Sequence, residues 1–269
     1  EIGSGLVGSE MCIRDSLKTD KFNKEGLTAS DYVIYAKDKN GGLSFEYKLS
    51  VFAPQGELNG MPYNVRFNTV EKLASQKNIT WFSNPLNDKK QTIKYRESGS
   101  QEWKTADAKT QQVDFDTSGN YIVNVNAVNL EGLKADTTYE YVLGTDGAVL
   151  EAATFKTGQE GKKTNEFFII GDIQDPDKSR VEEVARQLDA KNHNYDFGIT
   201  IGDAIDQASN YTDWSDLGQV LGADMLGGTN MVNIMGNHEY YGDPIAEIAS
   251  AIYNLSLIHI SEPTRPEPI

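Results

Sequence analysis

Three apolar runs in the second half of the chain each end at a glycine, and an acid or an amide follows that glycine at once. The runs are 166–170, 196–201 and 231–235, and they lead into Gly171-Asp172, Gly202-Asp203 and Gly236-Asn237. A short apolar run that stops at a glycine is typical of a buried strand. Because segments of helical period lie between the runs, the chain predicts a largely parallel sheet with right-handed crossovers.

The residues just past these strands predict one shared crevice. In an open α/β sheet, groups beyond the carboxyl ends of neighbouring strands lie at the same edge. The oxygen and nitrogen donors expected there are Asp172, Gln174, Asp203, Asn237 and His238. Such donors suit hard or borderline divalent metal ions.

Each of these donors has an expected role. Asp172 and Gln174 flank one residue, so on an extended segment they point the same way and bind one ion. Asp203 bridges two ions through its two carboxylate oxygens, and Asn237 gives the second ion a neutral oxygen. Two ions about 4 Å apart activate water and clamp the oxygens of a phosphoryl group.

His238 follows an amide ligand, which places it at the edge of the site. There it can protonate a leaving oxygen or stabilise charge on the phosphoryl group, and Glu239 is expected to orient it. The alternative for all three segments is a set of Asx turns and helix caps without a ligand.

The segments between the three strands predict two helices. The apolar residues recur at helical spacing, and Thr212 or Asp213 is expected to cap the second helix. The two apolar faces comprise Val181, Val184, Ala185 and Leu188, then Trp214, Leu217, Val220 and Leu221.

Residues 56–158 predict an all-β sandwich, because short alternating runs are separated by turn residues. Trp81 is large enough to fill the space between two sheets, and Tyr139 is expected to return its hydroxyl to the backbone as a tyrosine corner. The strand candidates are Tyr63–Phe67, Asn78–Phe82, Gln91–Arg96, Tyr121–Ala127, Thr138–Leu143 and Ala148–Phe155.

The remaining boundaries follow from composition. A polar linker at 158–165 separates the sandwich from an α/β segment at 165–255, and 17–55 reads as a β-rich hairpin, the expected tail of an upstream domain. Residues 1–16 and 256–269 show neither helical nor strand periodicity, and they resemble translated sequencing-adapter strings. The expected fold class is therefore an all-β sandwich followed by α/β.

Charge and composition exclude several classes of function. The net charge of -15 argues against binding a nucleic-acid backbone. No apolar run is long enough to span a membrane. The single cysteine, Cys12, lies in the adapter-like start, so the rest of the chain offers neither disulfides nor thiolate metal sites.

The three strand-end segments resemble the first three blocks of the calcineurin-like metallophosphoesterases. Those blocks run Gly-Asp-x-His, Gly-Asp-x-x-Asp or a variant ending in Tyr, and Gly-Asn-His-Glu or Asp. The resemblance implies that Asp172, Asp203 and Asn237 are metal ligands and that His238 is the catalytic histidine. A fibronectin type III-like domain before such blocks resembles the purple acid phosphatases, and the combined likeness covers roughly residues 56–255.

This resemblance implies a specific activity: hydrolysis of small phosphate esters, mono- or diesters, by two divalent ions. Gln174 stands where the family usually has His, and Asp206 stands where purple acid phosphatases have the Tyr that binds ferric iron. A colourless relative that uses manganese, iron(II) or zinc is therefore expected. The competing hypothesis is a non-catalytic surface or wall-binding protein with a degenerate phosphoesterase fold.

The resemblance also sets expectations for this stretch of chain. The family's two later histidine blocks do not follow residue 239, so residues 165–255 are expected to be the N-terminal half of a four-layer αββα domain. Weak activity and an exposed sheet face that promotes aggregation are expected. The domain pairing favours an extracellular or cell-envelope protein of bacterial origin, although a cytosolic one fits the composition too. The oligomeric state is left open.

Overall fold

The computed structural model describes residues 30–37, 43–51, 53–115, 121–174, 179–191 and 195–255. The chain divides into two compact units between Ala53 and Pro54. In the first unit, β1 (Ser30–Lys37) and β2 (Leu43–Val51) pair antiparallel, which confirms the two strands of the predicted hairpin. Its turn and both adapter-like ends lie outside the described residues.

The second unit is mostly β-structure with few helices. Its strands form two sheets. The short strand β3 (Ala53–Pro54) includes the last residue of the first unit and the first residue of the second. The small sheet contains β6 (Thr92–Glu97), β7 (Lys104–Asp107), β10 (Thr138–Thr145), β11 (Ala148–Val149) and β12 (Ala153–Lys156). The large sheet contains β4 (Tyr63–Asn68), β5 (Lys77–Ser83), β8 (Lys109–Phe115), β9 (Tyr121–Leu130), β13 (Phe167–Ile170), β14 (Phe197–Ile201) and β15 (Asn230–Ile234).

A sandwich core lies between the small sheet and the β4–β5–β9 part of the large sheet. Trp81 is fully buried at its centre, as predicted, and its indole N–H donates to Gln91 Oε1 at 3.1 Å. The tyrosine corner is also confirmed, because the Lys134 N–H donates to the Tyr139 hydroxyl at 2.9 Å. Phe155 stacks on the Tyr139 ring, and this contact ties the last sandwich strand to the corner.

Two details of the predicted sandwich differ. The single strand expected over Ala148–Phe155 is split into β11 and β12, because the register against β10 shifts by one residue between Val149 and Ala153. The strands β7 and β8 were not predicted. Their sequences are rich in Lys, Thr and Gln, since most of their side chains face solvent and only Val113 and Phe115 of β8 are buried.

The parallel strands extend the large sheet. β13, β14 and β15 pair parallel in register, with Phe168, Gly198 and Met231 side by side. Met231 of β15 pairs in turn with Asn68 of β4, so the sheet continues into the sandwich strands. The structure thus shows one continuous sheet within the second unit, and the predicted division into 56–158 and 165–255 stays a prediction.

Helices cover one face of this sheet. They are α1 (Ser179–Lys191), α2 (Tyr211–Val220), α3 (Ala223–Leu226) and α4 (Glu247–Ile252). Trp214 and Leu217 of α2 are buried as predicted, in a core that also holds Phe82 and Phe115 from the sandwich strands. The cap of α2 is Asn210 rather than the predicted Thr212 or Asp213, because the Asn210 side chain accepts from the Thr212 N–H. No helix in the described part of the chain has the length and apolar character of a membrane span.

Lys77 joins the sandwich to the start of β15, and its burial makes the stability of the chain depend on pH. The residue is 4% exposed, and its amine donates to Gly228 O at 2.9 Å and to Asn230 Oδ1 at 2.5 Å. Burial lowers the pKa of Lys77 to about 7. Between that pH and about 10.4, the unfolded chain binds a proton that the folded chain lacks, so the free energy of unfolding rises with pH.

We therefore expect Lys77→Met to remove a slope of at most about 1.4 kcal/mol per pH unit from stability in this window. The measurement is urea unfolding at a series of pH values. Lys94→Met is the matched control, because Lys94 is an exposed strand lysine. If the parent chain and the Lys77 variant show the same slope, burial does not lower the pKa of the Lys77 amine.

The face of the three parallel strands opposite the helices is apolar and exposed. Phe167 and Ile169 of β13, Ile201 of β14 and Ile234 of β15 are each about half exposed, at 45%, 55%, 55% and 51%. The register places Ile201 beside Ile234 on this face. A contiguous apolar patch of this kind promotes association.

We expect the double variant Ile169→Lys and Ile201→Lys to reduce self-association of the chain. Sedimentation velocity over a concentration series measures this, with Leu86→Lys as the control, because Leu86 is 65% exposed and lies outside the three parallel strands. A parent chain that stays monomeric throughout the series, or an equal effect of the control, would contradict the prediction.

Candidate metal centre

The loops after β13 and β14 are joined by backbone hydrogen bonds. The Asp172 N–H donates to Gly202 O at 3.3 Å, and the N–H groups of Ile173 and Gln174 both donate to Asp203 O, at 3.1 and 3.2 Å. The parallel register of the two strands brings their ends level, so the loops leave the sheet side by side. The first two predicted motifs therefore lie next to each other.

The loop after β15 adjoins the same place. The His238 N–H donates to Asp203 Oδ1 at 3.0 Å. A Cβ at Gly202 would lie 2.7 Å from Gly236 Cα, and a Cβ at Gly236 would lie 2.2 Å from Asp203 Oδ1. Both glycines are thus required by close approach of two loops, which is the physical reason for a glycine before each donor residue.

Two carboxylate residues at this junction have left-handed backbones. Asp172 has φ 51° and Asp203 has φ 52°. Aspartate tolerates this region better than most residues, but the conformation still costs about 1–3 kcal/mol. Because surrounding hydrogen bonds hold both residues in it, the turns fix the direction in which each carboxylate leaves the backbone. Strain of this kind clusters at functional sites.

Glu239 is the residue that ties the loops together. Its carboxylate is fully buried and accepts from the N–H groups of Asp203 at 3.0 Å, Ala204 at 2.8 Å and Gly236 at 2.6 Å. The expectation that Glu239 orients His238 is wrong, since both of its oxygens bond to backbone of the adjoining loops. Glu239 is a positioning residue for the loops that carry Asp203 and Asn237.

His238 is held by the loop after β14 instead. Its Nδ1–H donates to the Asp206 carbonyl at 2.7 Å, and the Asp206 carboxylate lies 3.5 Å from the same nitrogen. A proton on Nδ1 leaves Nε2 as the basic nitrogen of the neutral ring. The Tyr241 ring packs against the imidazole with centroids 4.6 Å apart, so the ring is held from two sides.

Asp213 shapes the loop that holds the histidine. One of its oxygens accepts from the N–H groups of Asp206 and Gln207, and the other accepts from the Asn210 side chain. Burial raises the pKa of Asp213, while those two backbone N–H groups oppose the shift. The sequence singled out Asp213 only as a cap. Its placement three residues after Asn210 at a helix start is the signal that was available.

The amide side chains test whether a metal ion fits. Gln174 Oε1 is buried and has no hydrogen-bond partner, which is unusual for a buried polar atom. Asn237 Nδ2 donates to the Tyr241 hydroxyl at 2.7 Å, and this bond leaves its Oδ1 free to face a cation. These oxygens and the two carboxylates form a donor set that suits a hard divalent ion.

The ligand set is nevertheless sparse. Among the described residues, no three His, Cys, Asp or Glu side chains group closely enough to hold a metal ion. The site therefore depends on the amides of Gln174 and Asn237 to supplement Asp172 and Asp203. The structure brings together the loops of all five predicted residues, and binding of metal by Asp172, Gln174, Asp203 and Asn237 stays a prediction.

One family model matches the segment that forms the sandwich. Residues 62–157 match the family model of the purple acid phosphatase N-terminal domain. This segment contains β4 through β12, the strands that enclose Trp81 and the tyrosine corner. No curated protein matches the chain.

Solved structures show a related fold. A purple acid phosphatase from yellow lupin (Lupinus luteus) seeds is similar over 79% of this chain and 41% of its own, with a TM-score of 0.54 and 15% identity. The chain thus spans less than half of that protein. PhoD is similar over 70% of this chain and 41% of its own, at 14% identity and a TM-score of 0.39. A fibronectin type III domain of human collagen XX matches 40% of this chain over its full length, at 18% identity and a TM-score of 0.27.

Proposed function

We propose that this chain contributes a dinuclear metal centre that hydrolyses phosphate esters. The observation that carries the proposal is the junction of three strand-end loops around Asp203, where the buried oxygen of Gln174 lacks a partner. The purple acid phosphatase N-terminal match at residues 62–157 supports the same class of function. So does the similarity in fold to the lupin phosphatase, because it covers more of the chain than the sandwich alone.

In this proposal Asp172 and Gln174 would hold one ion, Asn237 would hold the second, and Asp203 would serve both. Bound divalent ions of manganese, iron or zinc supply Lewis acidity and neutralise charge on a phosphoryl group. Glu239 sets the spacing of the ligands, because it fixes the backbone on both sides of Asp203 and Gly236. The chain itself provides orientation and proton transfer.

His238 is the proposed catalytic residue. Its Nδ1 is occupied by the Asp206 carbonyl, so Nε2 is the nitrogen that exchanges a proton with the leaving oxygen. The exposed side chains of Tyr240 and Tyr241 stand beside it, where a substrate would enter. The proposed substrates are small phosphate mono- or diesters, and the proposed location is extracellular or the cell envelope.

A non-catalytic binding protein is the second candidate, and the sparse ligand set favours it. Gln174 replaces a stronger imidazole donor, and the described residues bring no third His, Cys, Asp or Glu to the two aspartates. In that case the junction binds a metal ion or a phosphate ester without turning it over.

The test is an assay of the chain with manganese, iron(II) or zinc against p-nitrophenyl phosphate and bis-p-nitrophenyl phosphate. We expect slow, metal-dependent release of p-nitrophenol that chelation abolishes. Absence of turnover with every ion and both esters would overturn the hydrolase. If calorimetry then shows saturable metal binding without turnover, the binding protein is the correct function.

A further inference from the structure

Arg66 of β4 is a buried cation without a counter-ion. It is 7% exposed, and none of the ion pairs formed by the described residues involves it. Its Nη2 donates to the Trp214 carbonyl, and its guanidinium lies 5.6 Å from the Phe82 ring centroid and 5.7 Å from that of Trp214. Burial lowers the pKa of Arg66 only to about 10, so the group is charged at neutral pH.

One end of this guanidinium has an unused donor. Nη1 is buried and has no hydrogen-bond partner. Buried polar groups are nearly always hydrogen-bonded, and a buried charge is expensive unless it is paired. A carbonyl and two aromatic faces satisfy part of the guanidinium, but they supply no negative charge. The residue therefore has both a free N–H and an uncompensated charge.

Arg66 also lines a cavity of about 30 Å³ between β4, the ends of β14 and β15, and α2 and α3. The lining residues also include Thr200, Thr229, Asn233 and Tyr253. The Thr200 hydroxyl donates to Asn233 Oδ1 at 3.4 Å, and the Asn233 amide donates to Asn68 Oδ1 at 3.3 Å. Burial first, and the Glu239 carboxylate second, raise the pKa of Tyr253 well above its usual range, so its hydroxyl keeps its proton. The lining thus offers the unused donor and the positive charge of Arg66, with no carboxylate among the lining residues.

We propose that this cavity binds one small monovalent anion, of the size of chloride, against Arg66. A water molecule needs about 10–15 Å³ of such space, so the cavity holds a halide ion or about two waters. Water would satisfy the free N–H but would leave the charge uncompensated, and a halide does both. None of the residues that line the cavity is a proposed metal ligand.

The bound anion would link three elements. Arg66 belongs to a sandwich strand, Thr200 and Asn233 lie on the parallel strands, and Tyr253 follows α4. An ion that binds only the folded chain stabilises it by mass action. The proposal therefore predicts that halide raises the unfolding temperature through this cavity.

The test compares thermal unfolding of the full chain in sodium chloride, bromide and gluconate at equal ionic strength. At about ten times its dissociation constant, the halide should raise Tm by about 2–4 °C in a saturable way. Arg66→Met should abolish this rise. Arg96→Met is the matched control and should retain it, because Arg96 already has the Glu140 carboxylate at 2.6 Å.

Crystals of the parent chain soaked in bromide give a readout that does not depend on the variant folding. We expect an anomalous peak within hydrogen-bond distance of Arg66 Nη1. Only ordered water in the cavity, an equal Tm in chloride and gluconate, or the same halide response in the Arg66 variant would overturn the proposal. Stabilisation by phosphate that needs Arg66 without any halide effect would overturn it as well.

Discussion

Glu239→Ala should lower the free energy of unfolding by about 3 kcal/mol or more. The substitution removes a fully buried carboxylate and leaves the N–H groups of Asp203, Ala204 and Gly236 without an acceptor. Each buried donor that loses its partner costs about 1–3 kcal/mol. Denaturant unfolding followed by tryptophan fluorescence measures the loss, because Trp81 and Trp214 are buried in the folded chain.

The substitution Glu239→Gln removes the negative charge of this side chain and keeps its size and shape. The amide keeps one acceptor oxygen but turns an NH₂ group towards backbone donors, so an intermediate loss is expected. Glu160→Ala is the control, since Glu160 is an exposed glutamate, and it should change stability by less than about 0.5 kcal/mol. If Glu239→Ala unfolds at the same denaturant concentration as this control, the loops do not depend on the carboxylate.

Asp203→Asn should reduce the affinity for manganese at least about 100-fold and abolish metal-dependent hydrolysis. Loss of an outer-shell partner already costs about 10–100-fold in metal affinity, and Asp203 is a proposed ligand. The structure makes this variant informative. Asparagine keeps an Oδ1 that accepts from the His238 N–H, so stability should change by less than about 1 kcal/mol.

Isothermal titration of manganese and the phosphate-ester assay give the two readouts for this prediction. Asp146→Asn provides the control, because Asp146 lies exposed in a turn of the sandwich. Unchanged manganese affinity in the Asp203 variant would remove this residue from the centre. A large loss of stability in the same variant would show that its role is structural.

The sequence predicted the features that depend on a few neighbouring residues. A tyrosine corner needs one Tyr at a fixed distance from a turn, and the strands that precede Asp172, Asp203 and Asn237 need only short apolar runs ended by Gly. Parallel pairing then follows from the helices between the strands, and it places the three loops side by side. These features were visible because local pattern and tertiary contact agree.

Features that depend on contact between distant segments were not predictable in the same way. The acceptor role of Glu239 requires knowledge of how close the loops of Asp203 and Gly236 come, and no spacing in the sequence encodes that distance. The hydrogen bond from His238 Nδ1 goes to the backbone carbonyl of Asp206, which any residue type would supply. The strand β8 lacks a clear apolar alternation because five of its seven positions are exposed, and three of those five carry Thr or Gln.

The pairing of β15 with β4 illustrates the same limit. The sequence did not show that Met231 pairs with Asn68, so that one large sheet contains strands from both sides of the polar linker at 158–165. The domain boundary at this linker stays a prediction. The Asn230 side-chain amide donates to the Asn68 carbonyl at 2.6 Å, and the Lys77 amine donates to Asn230 Oδ1. Buried polar contacts of this kind are specific, but each partner looks like an ordinary surface residue in the sequence.

The most direct test of the metal centre is an anomalous difference map from crystals of the chain grown with manganese. We predict a peak within coordinating distance of the Asp203 carboxylate and the Gln174 Oε1 oxygen, which the structure leaves buried and without a partner. The peak should vanish in crystals of Asp203→Asn. A manganese-free junction at saturating metal, or a peak bound elsewhere on the chain, would contradict the account.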